Sequence, residues 1–365
     1  MESSDARAAV ARARRVVVKI GSRTLAAEGA AVFDRLAATC AAHPLASFVI
    51  VSSGAIALGI RKLGYRARPK EVARLQAAAA AGQSLLMQAY GDAFAARGLA
   101  VAQVLLTYAD LADRTRSNNA RAALGALLEA GAVPILNEND SVAVDEIKLD
   151  NDQLAAMVAP LVDAELVVLL SDVEGLLDAE GRRVPVIRDV ASEAVPHVRK
   201  STSQVGMGGM ASKVEAARRA TLAGANVVVA DARNAGALDA LLAGEDIGTL
   251  FVASTERLSA KKYWIAFTLR PRGDIVLDRG ASLAVLTKGR SVLSIGVLGI
   301  RGDFRAGDAV RLIDADGREI GRGLARCGAA DAARVAGKAR EELSDPLAEL
   351  AVVVHADELV VGGHG

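Results

Sequence analysis

Residues 137–156, NENDSVAVDEIKLDNDQLAA, gather Asn137, Glu138, Asn139 and Asp140 in one cluster and Asp150, Asn151 and Asp152 in a second. One acid ahead of the apolar run QLAAMVAPLV is an ordinary helix N-cap. Two such clusters on either side of the hairpin-like SVAVDEIKL exceed what capping requires. Oxygen acceptors so placed suit an ammonium, on a ligand or at the head of a lysine, and equally a divalent cation. Lys19 interrupts the apolar run VVVKI, with Gly21 and Ser22 behind it. A buried ammonium must be paired or face a site, because burying it alone is costly; the plain alternative is a strand-end lysine reaching solvent.

Three further places join hydroxyls, acids or glycines to apolar runs. Ser52, Ser53 and Gly54 follow FVIV and lead into AIALG, a turn that either caps a helix or offers backbone amides to an anion. Ser171 and Asp172 end LVVLL. The run Met207, Gly208, Gly209, Met210, Ala211, Ser212 and Lys213 enters another helical segment, where amides and the Lys213 ammonium can meet phosphate oxygens. GxxxxGK[ST] occurs nowhere, and GxGxxG does not follow the first apolar run, so any nucleotide is held by another architecture.

The elements that must position these residues read as strands. VVVKI, FVIVS, LAVAQVLLT, AVPILN, LVVLLSD and NVVVAD are continuously apolar rather than alternating, which predicts a mainly parallel sheet covered on both faces, a three-layer αβα sandwich of the α/β class. In such a sheet ligands bind beyond the carboxyl ends of the strands, where the polar residues above all fall. Gly131 and Gly224 stand as helix stops after ARAALGALLEA and ASKVEAARRATLA. After about residue 252 the texture changes to strands punctuated by Gly and Asp, which predicts a small β-barrel. The expected division is a sandwich domain over 1–255, a connector over 256–271 and the barrel over 272–365.

Composition excludes several functions. Among 365 residues, 52% are hydrophobic and the formal charge is +1, so no overall field draws the chain to nucleic acid or membrane. No apolar run approaches the roughly 20 residues of a membrane span, and MESSDARAAVARARR is charged and leads only into the short run VVVKI, far short of a signal's apolar stretch; a cytoplasmic location is expected. Cys40 and Cys327 fall in different expected domains, and the four histidines lack ligand spacing, which argues against a disulfide or a zinc site.

Taken in order, VVKIGS, VSSGAIALG, PILNENDSVA, DNDQLAA, LLSDVEGL and GMGGMASK, with LLTYADLADRTRSNNAR between, resemble the amino acid kinase family. Within it they are most similar to the enzymes that phosphorylate L-glutamate at the start of proline biosynthesis. Residues from about 272 resemble a PUA domain, completing a frequent bacterial arrangement. The resemblance implies phosphoryl transfer from ATP, with Mg²⁺ carried on its phosphates and no dedicated protein metal site, to the γ-carboxylate of glutamate. Lys19 and Lys213 would flank the transferring group, with Asp152 holding both. Ser53 and Gly54 would hold glutamate, and Asn137, Asp140, Asp150 and Asn151 would receive its α-ammonium and α-carboxylate. Ser171, Asp172, Lys19 and the run from Met207 to Lys213 (Gly208, Gly209, Met210, Ala211 and Ser212 between) would bind ATP. Two positions depart from the family pattern: Ser171 stands where threonine is common, and Met207 where a hydroxyl residue often opens the glycine run.

The family further implies feedback inhibition by proline and a homo-oligomer (dimer or tetramer), and because acyl phosphates hydrolyse readily a glutamyl phosphate reductase is expected as a partner. N-acetylglutamate, aspartate, carbamate and nucleoside monophosphates are acceptors used on the same fold, but the doubled acidic-amide clusters favour a free amino group. RNA binding through the PUA-like module is disfavoured, because residues 272–365 hold 13 Lys and Arg against 14 Asp and Glu.

Overall fold

A computed structural model describes residues 3–142, 150–200 and 209–362 of the chain, which divides into two units at residues 257 and 258. The first unit is built on eight strands: β1 (Arg15–Ile20), β2 (Ser47–Ser52), β3 (Val101–Leu106), β4 (Val133–Glu138), β5 (Leu166–Ser171), β6 (Val186–Ile187), β7 (Asn226–Asp231) and β8 (Thr249–Phe251). They lie in the order β3-β4-β2-β1-β5-β7-β8-β6, all neighbours parallel except β7 and β8. β4 and β5 are buried along their whole length, which is why they read as unbroken apolar runs.

Alternation along β1 assigns its side chains to two cores. Val16, Val18 and Ile20 face one layer with Leu36, Leu86, Tyr90 and Phe94. Val17 faces the other, with Leu154, Val158, Val214 and Ala217 from the helices Asn151–Val158 and Met210–Leu222. Lys19, two residues after Val17, shares this second face by the period of the strand. Gly131 and Gly224 take positive φ, 74° and 99°, just past the helices they end.

Register brings the strand ends level: Ile20 lies beside Ser52 and Leu170, Val51 beside Leu136, and Ser171 beside Asp231. The chain leaves β1 toward β2 on one side and β5 toward β7 on the other. The crevice at the carboxyl ends of β1 and β5 is therefore the topological switch point.

The second unit, 258–365, carries a mixed six-stranded sheet in the order β10-β14-β13-β12-β9-β11, where β9 is Gly273–Leu277, β10 Val292–Leu293, β11 Val297–Gly302, β12 Ala309–Ile313, β13 Glu319–Ala325 and β14 Val352–Val361. It curls as a half-barrel around Ile275, Val310, Leu312, Val353 and Phe304. Residues 260–268, part of the segment expected as a connector, are helical, and Arg322 of β13 donates to the Ala266 carbonyl at 2.9 Å.

Candidate active site

Asp152 enters the second face of the first unit in the opening turn of the helix Asn151–Val158, capped by Asp150, whose carboxylate accepts from the Asp152 amide at 3.2 Å. Its side chain is fully buried. Lys19 approaches from β1, its Nζ 2.6 Å from Asp152 Oδ1, and Lys213 approaches from the helix Met210–Leu222, its Nζ 3.0 Å from Oδ2. Both lysine side chains are at most 8% exposed. One carboxylate between two ammonium groups leaves a net charge of +1 in a region of low dielectric, an arrangement suited to an incoming anion.

On one side of this triad is a relay of amides. Asn151 Nδ2 donates to Ser53 Oγ at 2.6 Å and to Asn137 Oδ1 at 3.2 Å; Asn137 Oδ1 also accepts from the Glu138 amide at 2.9 Å, while Asn137 Nδ2 donates to Gln83 Oε1 at 3.0 Å. The backbone donor at Glu138 fixes which end of Asn137 is oxygen, and the rest of the relay follows. Ser52 and Ser53 part company. Ser52 is buried and its hydroxyl accepts from Tyr90 at 2.9 Å, whereas Ser53 belongs to the relay.

The turn after β2 is held by helix packing. Gly54 adopts φ 105° ahead of the helix Ala55–Lys62, which lies backbone-to-backbone on the helix Val72–Ala95. A Cβ on Gly59 would come 1.7 Å from the Ala78 carbonyl oxygen, and one on Gly82 1.7 Å from that of Ala55. Gln83, next to Gly82, is placed by the same close approach.

On the other side of the triad opens a cleft of about 940 Å³. Ser171, Asp172, Gly209, Met210 and Lys213 line it, together with Arg23, His197, Asp231 and Arg233. Burial pulls the Asp172 carboxyl up, but hydrogen bonds from Arg23, its own amide and Ser171 hold it below the usual range. Arg233 does the same for Asp231 more strongly than burial opposes it.

The expected site residues thus separate into groups. Lys19, Lys213 and Asp152 meet in the triad; Ser53, Asn137 and Asn151 form the relay, with Gly54 at its turn; Ser171, Asp172, Gly209 and Met210 line the cleft. Asp150 uses one oxygen on its cap and the other on the Ser212 hydroxyl, and the Ser212 carbonyl accepts from Gln153 at 2.9 Å. Ser212 therefore ties the two helices together, and neither it nor Ala211 is among the residues lining the cleft. Asp140 lies in the turn after β4, and it too is engaged in an interaction. Met207, Gly208 and residues 143–149 of the hairpin-like segment lie outside the described residues. Gln83, Arg23 and Arg233 were not expected. Only the position of Arg23, four residues beyond Lys19, offered a signal.

Residues 14–231 match the amino acid kinase family and residues 273–347 the PUA domain. This chain belongs to the amino acid kinase family. Its curated relatives include glutamate 5-kinases from Myxococcus xanthus (44% identical, covering 98% of this chain and 99% of that one), Frankia casuarinae (45%, 96% and 98%) and Trichlorobacter lovleyi (42%, 96% and 97%). N-acetylglutamate synthase from Neisseria gonorrhoeae superposes with a TM-score of 0.52 at 18% identity, over 72% of this chain and 66% of that one, which speaks to the fold alone. The protein is a kinase, a transferase with a C-terminal PUA domain. Among the described residues no helix is long and apolar enough to cross a membrane.

Proposed function

We propose that this kinase transfers the terminal phosphoryl group of ATP to the γ-carboxylate of L-glutamate, giving γ-glutamyl phosphate in the first step of proline biosynthesis. The observation that carries the reading is the buried Lys19–Asp152–Lys213 bridge between an amide relay and a nucleotide-sized cleft. The full-length likeness to glutamate 5-kinases supports the choice of substrate.

A transferring phosphoryl group spreads negative charge over its oxygens, so catalysis consists of alignment and charge stabilisation. Lys19 and Lys213 supply that charge from opposite sides, and Asp152 keeps both side chains extended toward the reaction. No general base is needed, because the glutamate carboxylate, with an ordinary pKa of about 4.3, is already ionised near neutral pH. Ser53, Asn137 and Asn151 hold the amino acid, with Asp140 and Asp150 adding negative charge for its ammonium. ATP lies along Ser171, Asp172 and the start of the helix Met210–Leu222. Mg²⁺ arrives with its phosphates as part of the substrate.

Proline, with an α-carboxylate beside a cationic nitrogen, competes for the same relay, and a glutamyl phosphate reductase takes up the labile product. ADP release measured with glutamate, N-acetylglutamate, aspartate and carbamate tests the assignment. Glutamate is expected to be the productive acceptor, with proline inhibition relieved by saturating glutamate. Turnover of N-acetylglutamate without turnover of glutamate overturns it.

A further inference from the structure

We infer that Arg23 is a third phosphate-binding cation of this enzyme, held by Asp172 until the nucleotide arrives; the inference rests on the cleft being the ATP site. Arg23 follows β1, the strand that carries Lys19, in the short helix Ser22–Glu28. It lines the same cleft as Lys213 and Gly209, so its guanidinium and one of the two triad lysines open on one space. Its partner is Asp172, just past the end of β5, the strand paired with β1.

The pair is a weak anchor. Arg23 is 64% exposed and Asp172 42%, and an ion pair this wet contributes little to stability. A triphosphate offers several charged oxygens to the same guanidinium, whose planar fork suits phosphate as well as carboxylate. The charges nearby make the exchange orderly. Asp231 stands level with Ser171 in the register, close enough for its carboxylate and that of Asp172 to repel, and Arg233 already occupies Asp231. Without a cation between them, two carboxylates at the cleft would oppose a polyanionic ligand. With Arg23 and Arg233 in place these two carboxylates are balanced, and when Arg23 turns to the phosphates, Asp172 is released as an acceptor for other groups of the bound nucleotide.

Arg23 thereby reads the phosphate chain, whereas a mere prop for Asp172 would affect every adenine nucleotide alike. Calorimetric affinities of wild type, Arg23→Met and Arg23→Lys for ATP and AMP separate the two. Arg23→Met is expected to lose about tenfold in ATP affinity, the scale of one charge-assisted hydrogen bond at an exposed site. AMP affinity is expected to change less than twofold, and Arg23→Lys should recover part of the ATP loss by restoring charge without the fork. Equal losses for ATP and AMP, or unchanged ATP affinity in both variants, overturn the inference, as does a wild-type enzyme that binds no ATP. Wild type that binds ATP but does not phosphorylate glutamate sinks the acceptor assignment instead, and the ATP-to-AMP comparison still decides Arg23.

Discussion

Replacing Asp152 by Asn removes one negative charge and almost no volume. The carboxylate is fully buried and holds Lys19 at 2.6 Å and Lys213 at 3.0 Å, so the two ammonium groups cannot be far apart. Even at the greatest separation those distances allow, about 8 Å, and an effective dielectric of about 20, their repulsion is at least roughly 2 kcal/mol, which the carboxylate now offsets. Breaking a buried pair by deleting one partner typically costs about 3–5 kcal/mol, because the surviving charge is left uncompensated. Asp152→Asn should therefore unfold at lower denaturant, with a loss of that size in the absence of ligand. Nucleotide affinity should move the other way, tightening at low salt, since ATP no longer competes with a carboxylate for two cations. Turnover should nevertheless fall by about 10²–10³, the scale of removing one preorganised electrostatic element. Urea titration, ATP calorimetry and single-turnover ADP release read the three quantities separately. A variant with turnover within about threefold of wild type and stability within about 1 kcal/mol would falsify the role of the triad in both senses.

Three other perturbations follow from the same geometry. Gly82→Ala should gain up to about 1 kcal/mol from helix propensity, but a Cβ 1.7 Å from the Ala55 carbonyl forces two helices apart, so a net loss of about 1–3 kcal/mol and a raised KM for the amino acid are expected; thermal unfolding with glutamate kinetics checks both. Gln83→Leu leaves Asn137 Nδ2 without its partner at 3.0 Å, and the KM for glutamate should rise roughly tenfold while that for ATP stays put, as initial-rate measurements would show. The pH dependence of stability should reveal Glu215: burial raises its carboxyl, but Arg218 and Arg219 together hold it below its ordinary value of 4.5. A depressed carboxyl stabilises the fold above its unfolded pKa and loses that contribution as pH falls through the folded one. Glu215→Gln should accordingly be less stable than wild type at pH about 7, with the difference shrinking as pH drops below the ordinary glutamate value of about 4.3 and gone once it is below the depressed folded one, measured by denaturant midpoints across pH.

What the sequence by itself determined is the local pattern. Unbroken apolar runs announced β1, β2, β4, β5 and β7 because a strand covered on both faces has no polar side. Gly131 and Gly224 announced helix ends because each takes a positive φ that other residues resist. The clusters after β4 and before the helix Asn151–Val158 announced a site because capping alone does not explain them, and the family resemblance drew Lys19, Asp152 and Lys213 into it.

The tertiary structure decided which polar atoms are already engaged. Ser52 and Ser53 are indistinguishable in sequence, yet one meets Tyr90 in the core and the other joins Asn151. Asp150 reads as a ligand acceptor, and the fold adds a second duty, with one oxygen on the Asp152 amide and the other on the Ser212 hydroxyl. Gln83 enters the relay only because Gly59 and Gly82 let two helices touch, and Arg23 finds Asp172 only because β1 and β5 pair in a register that brings their ends together. Periodicity reports which face a side chain takes over a few residues. Partnerships between distant segments depend on packing and register, which no local stretch encodes.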